Sequence, residues 1–493
     1  MYGKYKNMPD PEMMSAALVI VPEMVILALV LLQSGGGTVF YRITTRQTVD
    51  GTVHVYYHTE TMVIMRTLVI GAAVLWAITL LLCLISRQLH LGLAKIFIPV
   101  NILAFSGILA QGWLDPADLS DYLIKMLLGS VVCVLFVFLV HVPVNQGIFC
   151  CICRILAAAG VLLMIWGVFN QVNGNGSWLL NGSFQIGEVF KLAILLLSVV
   201  GMDLICRDKK SRRLFYIASL LMLLNLFVVK DLGNFLVLAV LLLVVIVKFG
   251  LLQTGLKLLA AGCAAAPVVF LLFRNKIMQR FSNALFYPVT HYLADSSTNE
   301  NLRQAILSLV RGGILGTGVS ASSALYASNI SSSETDFVFM ASTSIFGLGY
   351  AVIVLGSMLV LTKNVSPSQK ETMADHHDAY QGSVICAFLL IQCFVHVAAS
   401  ASLIPMTGVT FPLLSRGGSS MLVCFAAIGS LAGLQLPKAK QKAIKAWYGR
   451  VFGISAGADV VRGMNSERNS RVRKSVIGRR SDRVRVKKGC DVL

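Results

Sequence analysis

Five ionisable side chains stand inside or at the edge of long apolar runs, where a charge is costly and usually has a function. Glu188 and Lys191 are three residues apart in "FQIGEVFKLA", so they would share one face of a helix and could pair with each other. Asp231 stands in "VVKDLGNF", Glu23 in "VPEMVIL", and Asp336 in "ETDFVF" at the start of an apolar run. Because partial burial raises the pKa of a carboxylate, Asp336 is a candidate general base.

Each of these residues also has a structural interpretation. An Asp just before a helix can cap its N-terminus and favour the positive end of the helix dipole, and Thr335 could cap the same helix equally well. Glu188 and Lys191 could form a structural ion pair inside a helix bundle. Glu23 has no evident role in the sequence.

The elements that carry these residues are predicted to be membrane-spanning helices. The 493-residue chain is 56% hydrophobic and only 13% charged, with a mean hydropathy of +0.76, which is more apolar than a soluble domain. Helices are the only plausible way for about twelve runs of this length to cross a bilayer. The sequence therefore predicts an all-α, polytopic transmembrane helical bundle. The predicted spans are 15–34, 63–85, 92–113, 122–143, 149–170, 185–205, 213–229, 233–250, 253–273, 337–362, 382–404 and 417–436.

The distribution of Lys and Arg predicts the orientation, because positively charged loops stay in the cytoplasm. "RDKKSRR" at 207–213 and the basic tail at 437–493 should both lie inside, which places both termini in the cytoplasm and the loop 274–336 outside. The first run is interpreted as a retained span. The tail is predicted to be disordered and to contact anionic lipid headgroups or fix the topology, with no nucleic-acid partner.

The two predicted outer loops differ in character. Loop 35–62 contains the strand-like "GTVHVYYHT", which predicts a short hairpin or an ordered loop. Loop 274–336 is too long for a simple connector, and its segments "FRNKIMQRFSNALFYP" and "NLRQAILSLVRGGILGTG" predict short amphipathic helices lying on the outer face. The glycines of "RGGILGTG" would let the backbone approach a ligand closely, or they could simply form turns.

The segment "PMTGVTFPLLSRGGSSML" at 405–422, here called the signature segment, resembles the C-terminal signature of the SEDS family (shape, elongation, division and sporulation). Further matches follow in the family's order: "SFQIGEVFKLA", "KDLGN", "RQAILSLVRGGILGTG" and "TDFVF". The resemblance covers about 175–436, whereas 1–174 carries no matched motif and would include two spans beyond the family's usual ten. Departures from the family pattern include Ile186 and Lys230 in place of Pro, Arg416 in place of Tyr, and "STSI" at 342–345 in place of acids.

The resemblance implies an integral membrane glycosyltransferase that polymerises lipid II on the outer face of the bacterial cytoplasmic membrane. Asp336 matches the acid that the family needs for catalysis, and the class B penicillin-binding protein, a transpeptidase, is the implied partner. The other matched positions belong to the central cavity, the outer loop and the signature. They are Glu188, Lys191, Asp231, Gln304, Arg311, Gly316, Gly318, Ser415, Gly417, Gly418 and Ser419.

Polymerisation would require a base to take the proton from the acceptor sugar's 4-hydroxyl as it attacks the donor's anomeric carbon, inverting that centre. The lipid pyrophosphate leaving group would need cationic compensation in a poorly solvated cleft. Candidates are Lys191, Arg280, Arg311 and Arg416, or a divalent cation such as Mg²⁺ or Mn²⁺.

Two other functions fit a polar cavity in a helix bundle. A lipid II flippase or other lipid transporter would need polar residues through the full membrane depth, whereas here they gather at the predicted outer end. A catalytically weak scaffold for the penicillin-binding protein is favoured by the replaced acids at 342–345 and opposed by the retained Asp336.

Overall fold

The computed structural model describes most of the helical part of the chain. The described residues are 20–28, 41–49, 52–59, 63–115, 118–170, 178–179, 184–248, 300–318, 330, 332–365 and 373–452.

Within these ranges the fold is a bundle of helices with two small antiparallel hairpins. The helices are α1 (20–28), α2 (Val63–Gln88), α3 (Ala94–Leu114), α4 (Leu119–Leu139), α5 (Gln146–Asn170), α6 (Ile186–Val200), α7 (Met202–Arg207), α8 (Lys209–Val228), α9 (Leu232–Lys248), α10 (Glu300–Gly312), α11 (Val338–Phe346), α12 (Leu348–Val365), α13 (Met373–Ser400), α14 (Gly418–Leu434) and α15 (Lys438–Phe452). The hairpins pair β1 (Tyr41–Val49) with β2 (Thr52–Thr59), and β3 (Trp178–Leu179) with β4 (Phe184–Gln185). The hairpin predicted in loop 35–62 is confirmed.

The chain is a polytopic membrane protein. Among the described residues, six helices are long and apolar enough to cross a membrane, and α14 with α15 makes a seventh if this pair, bent by 110°, counts as one span. Helices α2, α3, α4, α5, α8 and α13 confirm the runs predicted at 63–85, 92–113, 122–143, 149–170, 213–229 and 382–404. The predicted span 253–273 lies outside the described residues.

Three predictions about single elements were wrong. The run 337–362 is not one helix, since α11 ends at Phe346 and α12 begins after Gly347, whose φ of +84° no continuing helix can adopt. The run 185–205 is likewise divided at Gly201. The tail is not disordered from its start, because α15 follows directly; the Gln441 amide donates to the carbonyls of Leu434 and Leu436, which fixes this helix against the end of α14.

Close helix packing at the centre of the bundle depends on glycines. A Cβ at Gly429 of α14 would lie 2.1 Å from the Cys133 carbonyl oxygen of α4, and one at Gly433 would lie 2.6 Å from that of Val137. In a membrane, such small residues let two backbones approach and gain van der Waals contact where no hydrophobic driving force exists. Helices α4 and α14 therefore bring the residues before α4 close to the signature segment, which leads into α14.

The two basic segments, 207–213 and α15, lie at the same end of the bundle. The Gln146 amide donates to Asp208, the second residue of "RDKKSRR", at 2.8 Å. His141 donates to the Gly433 carbonyl at 3.1 Å, near the start of α15. The Gln381 amide donates to the Val199 carbonyl at the end of α6 (2.6 Å), which brings α13's first turns to this end too.

Candidate functional site

Asp336 lies in a tight turn just before α11. The backbone N–H groups of Thr335, Asp336 and Phe337 all donate to the carbonyl oxygen of Ser332, at 3.0 to 3.3 Å. The N-cap of α11 is Phe337, and no side chain caps the helix. The capping role considered for Asp336 and Thr335 is therefore wrong.

The Asp336 carboxylate faces the signature segment at Gly408. A Cβ at Gly408 would stand 3.7 Å from Asp336 Oδ2, so the glycine leaves the space beside the carboxylate empty. Gly408 also has φ of +64°, a left-handed conformation that side-chain-bearing residues rarely adopt. The part of the signature segment that lies nearest to the Asp336 carboxylate is therefore backbone without a side chain.

Hydrogen bonds fasten the signature segment to the Asp336 turn. The Ser415 hydroxyl donates to the Thr335 carbonyl (2.8 Å) and accepts from the Phe411 N–H (2.8 Å). The Arg416 N–H donates to the Glu334 carbonyl (3.1 Å). The fully buried Gln111 amide joins both sides by donating to the carbonyls of Glu334 and Leu414, each at 2.8 Å. The geometry around Asp336 is therefore fixed on two sides.

Arg416 is surrounded by carboxylates. Its Nη1 contacts Asp115, and it also donates to Asp118 Oδ2 at 2.8 Å, while its Nη2 lies 3.8 Å from Glu334 Oε1. The guanidinium is only 20% exposed. The structure thus uses Arg416 to join the α3–α4 connection to the Asp336 turn, with its charge already matched by acids. Its predicted contribution to a pyrophosphate leaving group is weakened accordingly.

Burial raises the pKa of Asp336 to about 6, and the negative charge of Glu334 adds to this rise, while a hydrogen bond with Thr335 opposes it. A carboxylate with this pKa is largely ionised at neutral pH, yet it is a stronger base than an exposed Asp. Efficient general bases have a pKa near the working pH.

Asp231 organises the start of α9. It accepts from the Asn234 N–H (3.2 Å), from the Asn234 side-chain amide (2.9 Å) and from the Gln185 amide (3.0 Å) at the start of α6. The next glycine, Gly233, packs so closely that a Cβ there would lie 2.3 Å from the Thr407 carbonyl oxygen. Since Thr407 precedes Gly408, the starts of α6 and α9 lie at the same end of the bundle as Asp336.

Glu188 and Lys191 form an ion pair of 2.7 Å in the first two turns of α6, with side chains only 2% and 0% exposed. Glu188 Oε1 accepts from Lys191, while Oε2 has no hydrogen-bond partner among the described residues. The pairing predicted from their spacing is confirmed. Most of the Lys191 charge is therefore committed to Glu188.

The remaining signature residues form the start of α14. A Cβ at Gly417 would contact the Thr410 side chain at 2.8 Å, and one at Gly418 would lie 3.2 Å from Cε and 3.8 Å from Nζ of Lys125. Ser419 is buried beside them. Lys125 also pairs with Asp121 at 2.5 Å. The structure thus brings a cation to the signature segment that was not among the predicted site residues.

The C-terminal end of α10 lies at the end of α11 that is farther from Asp336. Gln304 and Arg311 belong to α10, which packs on α11, and a Cβ at Gly312 would lie 2.4 Å from the Ser344 carbonyl oxygen. Ser344 is about 9 Å along the helix from its first residue, given a rise of about 1.5 Å per residue. Arg280 lies outside the described residues.

Within the described part of the chain, no group of three or more His, Cys, Asp or Glu side chains is placed to hold a metal ion. The carboxylates of Asp115, Asp118 and Glu334 are instead directed at Arg416. The divalent cation considered from the pyrophosphate chemistry stays a prediction.

Four residues of this site were missed from the sequence: Gln111, Asp115, Asp118 and Lys125. Their signal is present in "QGWLDPADLSDYLIK" at 111–125, an acidic connector between two apolar runs. In the predicted topology this connector lies on the same side of the membrane as Asp336, so its acids could have been assigned to the same end of the bundle.

Residues 115–439 match the FtsW/RodA/SpoVE family model, described as "Cell cycle protein". Similar curated proteins include the "Probable peptidoglycan glycosyltransferase FtsW" of Enterococcus hirae, 27% identical over 39% of this chain and 50% of that protein. The protein of the same description from Tolumonas auensis is 26% identical over 56% of this chain and 73% of its own length. The "Peptidoglycan glycosyltransferase RodA" of Mycobacterium bovis is 30% identical over 41% of this chain and 42% of its own.

The chain spans half the length or less of several of these curated relatives. A similar fold occurs in a solved structure described as "Structural coordination of polymerization and crosslinking by a peptidoglycan synthase complex". It matches with a TM-score of 0.50 and 22% identity, over 70% of this chain and 98% of that one.

Proposed function

Because the chain belongs to the FtsW/RodA/SpoVE family, we propose that it is a peptidoglycan glycosyltransferase that polymerises lipid II, with Asp336 as the general base. The observation that carries this assignment is the position of Asp336. Its partly buried carboxylate, with a pKa raised to about 6, faces the bare backbone of Gly408 in the signature segment. An acceptor hydroxyl at this place would meet a base of suitable strength in a site with fixed walls.

The reaction would be a single inverting displacement. Asp336 takes the proton of the acceptor's 4-hydroxyl while its oxygen forms a bond to the donor's anomeric carbon, and the bond from that carbon to the lipid pyrophosphate breaks. One base suffices, and the pyrophosphate leaves with the electron pair.

The charge on the leaving group needs a cation in a poorly solvated site. Lys191 is fully buried in its pair with Glu188, and Arg416 faces three acids. Lys125 has one acidic partner, Asp121, is 30% exposed and lies beside Gly418, so we assign the leaving group to the Lys125 side of the signature segment. Lys125 would exchange its pairing with Asp121 for the pyrophosphate.

The proposed site lies on the outer face of the cytoplasmic membrane, and the basic end of the bundle, with both chain termini, lies in the cytoplasm. The support is the position of the two basic segments. The segment "RDKKSRR" and α15 lie at one end of the bundle, and Asp231 and Asp336 lie at the other end. A class B penicillin-binding protein is the proposed partner, since glycan made at the outer face must then be crosslinked.

The test is polymerisation of labelled lipid II by the full chain with its partner, followed as glycan ladders on a gel. Asp336→Asn keeps the shape of the side chain and removes the base, so the ladders should disappear. Asp203→Asn, the same change at a 65% exposed position of the basic end, is the matched control and should leave them intact. Ladders unchanged in Asp336→Asn would refute the role of Asp336, and no ladders from the unaltered protein would favour the transporter or scaffold.

A further inference from the structure

A cavity of about 380 Å³ lies between the N-terminal helix α1 and helices α3, α11 and α12. It is distinct from the proposed catalytic site, and two of the helices around it, α1 and α3, precede the part of the chain that matches the family. Glu23, to which the sequence assigned no role, forms part of its wall.

Glu23 is a buried carboxylate without a cationic partner in the described part of the chain. It is 5% exposed and lies with Ile20 and Leu27 on the one buried stripe of α1. The Trp76 indole N–H donates to it at 2.8 Å, and the Asn101 amide contacts both of its oxygens at 2.9 and 3.0 Å. These donors are neutral. Acids inside a membrane usually pair with a cation, so a cationic ligand would supply the charge that these neutral donors do not.

Aromatic rings form much of the rest of the cavity. Phe105, Phe346 and Tyr350 line it, the Phe346 and Tyr350 rings lie 5.2 Å apart, and Phe105 is 5.9 Å from the Trp76 ring. The Tyr350 hydroxyl donates to the Ser106 carbonyl at 3.0 Å and so is already used. Aromatic faces attract organic cations, most strongly where water is excluded. A carboxylate and three aromatic side chains in one cavity select for positive charge.

We propose that this cavity binds an organic ammonium ion with a short apolar body, whose charged group contacts Glu23. A cavity of about 380 Å³ has room for about a dozen water-sized groups of about 30 Å³ each, which is too little for a whole phospholipid. Ile26 and Ile353 on its rim are 39% and 49% exposed on the outer surface of the bundle. The ligand therefore enters from the bilayer.

The test uses octyltrimethylammonium carrying a diazirine on its alkyl chain, photo-crosslinked to the full-length protein in a non-ionic detergent. Labelled peptides should come from segments 20–28, 102–109 and 346–353. Unlabelled octyltrimethylammonium should compete, whereas its neutral carbon isostere, 2,2-dimethyldecane, and the anion decanoate should not. Equal competition by the neutral isostere would show that the cavity binds apolar molecules without selecting for positive charge, and would overturn the proposal.

Two variants separate charge from shape. Glu23→Gln keeps an acceptor for Trp76 and Asn101 but loses the charge, and labelling should fall at least tenfold. Ile102→Trp fills the cavity while keeping the carboxylate, and labelling should fall as far. Asp203→Asn is the control and should label fully. Unchanged labelling in a folded Glu23→Gln protein would refute the role of the charge; if that variant unfolds, unchanged labelling in Ile102→Trp refutes the site itself.

Discussion

Replacing Gly408 by Ala should separate the cost of backbone strain from the loss of space beside the proposed base. Gly408 has φ of +64°, and holding an Ala in that conformation costs about 1–2 kcal/mol. The new Cβ would stand 3.7 Å from Asp336 Oδ2, which is ordinary van der Waals contact and adds no clash. The substitution should therefore lower the free energy of unfolding only by the cost of the backbone strain. The methyl group, however, occupies the space through which an acceptor hydroxyl must come within about 3 Å of the carboxylate.

Gly92→Ala is the matched control, because Gly92 has φ of +68° and nothing within 4 Å of where its Cβ would stand. Both variants should lower the unfolding temperature by a similar amount. In lipid II polymerisation, Gly408→Ala should be at least tenfold slower than Gly92→Ala, measured at a temperature where both are folded. Equal rates would show that the space at Gly408 is not used by the substrate, and the placement of the acceptor beside Asp336 would then be wrong.

Three further results follow from the charges around Asp336. The polymerisation rate should rise with pH through about 6 and level off above it, because only ionised Asp336 accepts a proton and its pKa is raised to about 6. Glu334→Gln should move the midpoint to lower pH, since the charge of Glu334 helps to raise that pKa; a midpoint that stays or rises contradicts this cause. Arg416→Ala should cost about 2 kcal/mol of stability by leaving part-buried carboxylates unpaired, whereas Arg207→Ala at an exposed pair should cost little. Thermal unfolding measures both, and equal losses would refute the anchoring role of Arg416.

The fold was largely predictable because bilayer thickness sets the length of an apolar helix. Runs such as 63–85 and 382–404 could be recognised without knowing their neighbours. The break at Gly347 could not, because its cause lies elsewhere in the chain: the backbone of 314–318 takes over the hydrogen bonds that a continuous helix would have kept. The helix Lys438–Phe452 was missed because a high density of Lys and Arg is compatible with either disorder or a surface helix.

The site was predictable where the partners are close in sequence and not where they are distant. The Glu188–Lys191 pair follows from a spacing of three on one helix face. The role of Arg416 does not, because Asp115 and Asp118 precede it by some 300 residues and only the packing of α14 on α4 brings them together. The sequence marked Arg416 as a departure from the family, and the structure supplies the acids that compensate for it.

The break at Gly347 also has a mechanical consequence. The amides of Thr317 and Gly318 donate to the carbonyls of Ser344 and Ile345, and the amide of Leu348 donates to that of Ile314. The segment 314–318 is thereby hydrogen-bonded to the end of α11 and the start of α12. Peeling it away would leave three backbone pairs open, at about 1 kcal/mol or more each. The backbone of 314–318 is therefore held firmly against the end of α11, so the two segments form one structural unit.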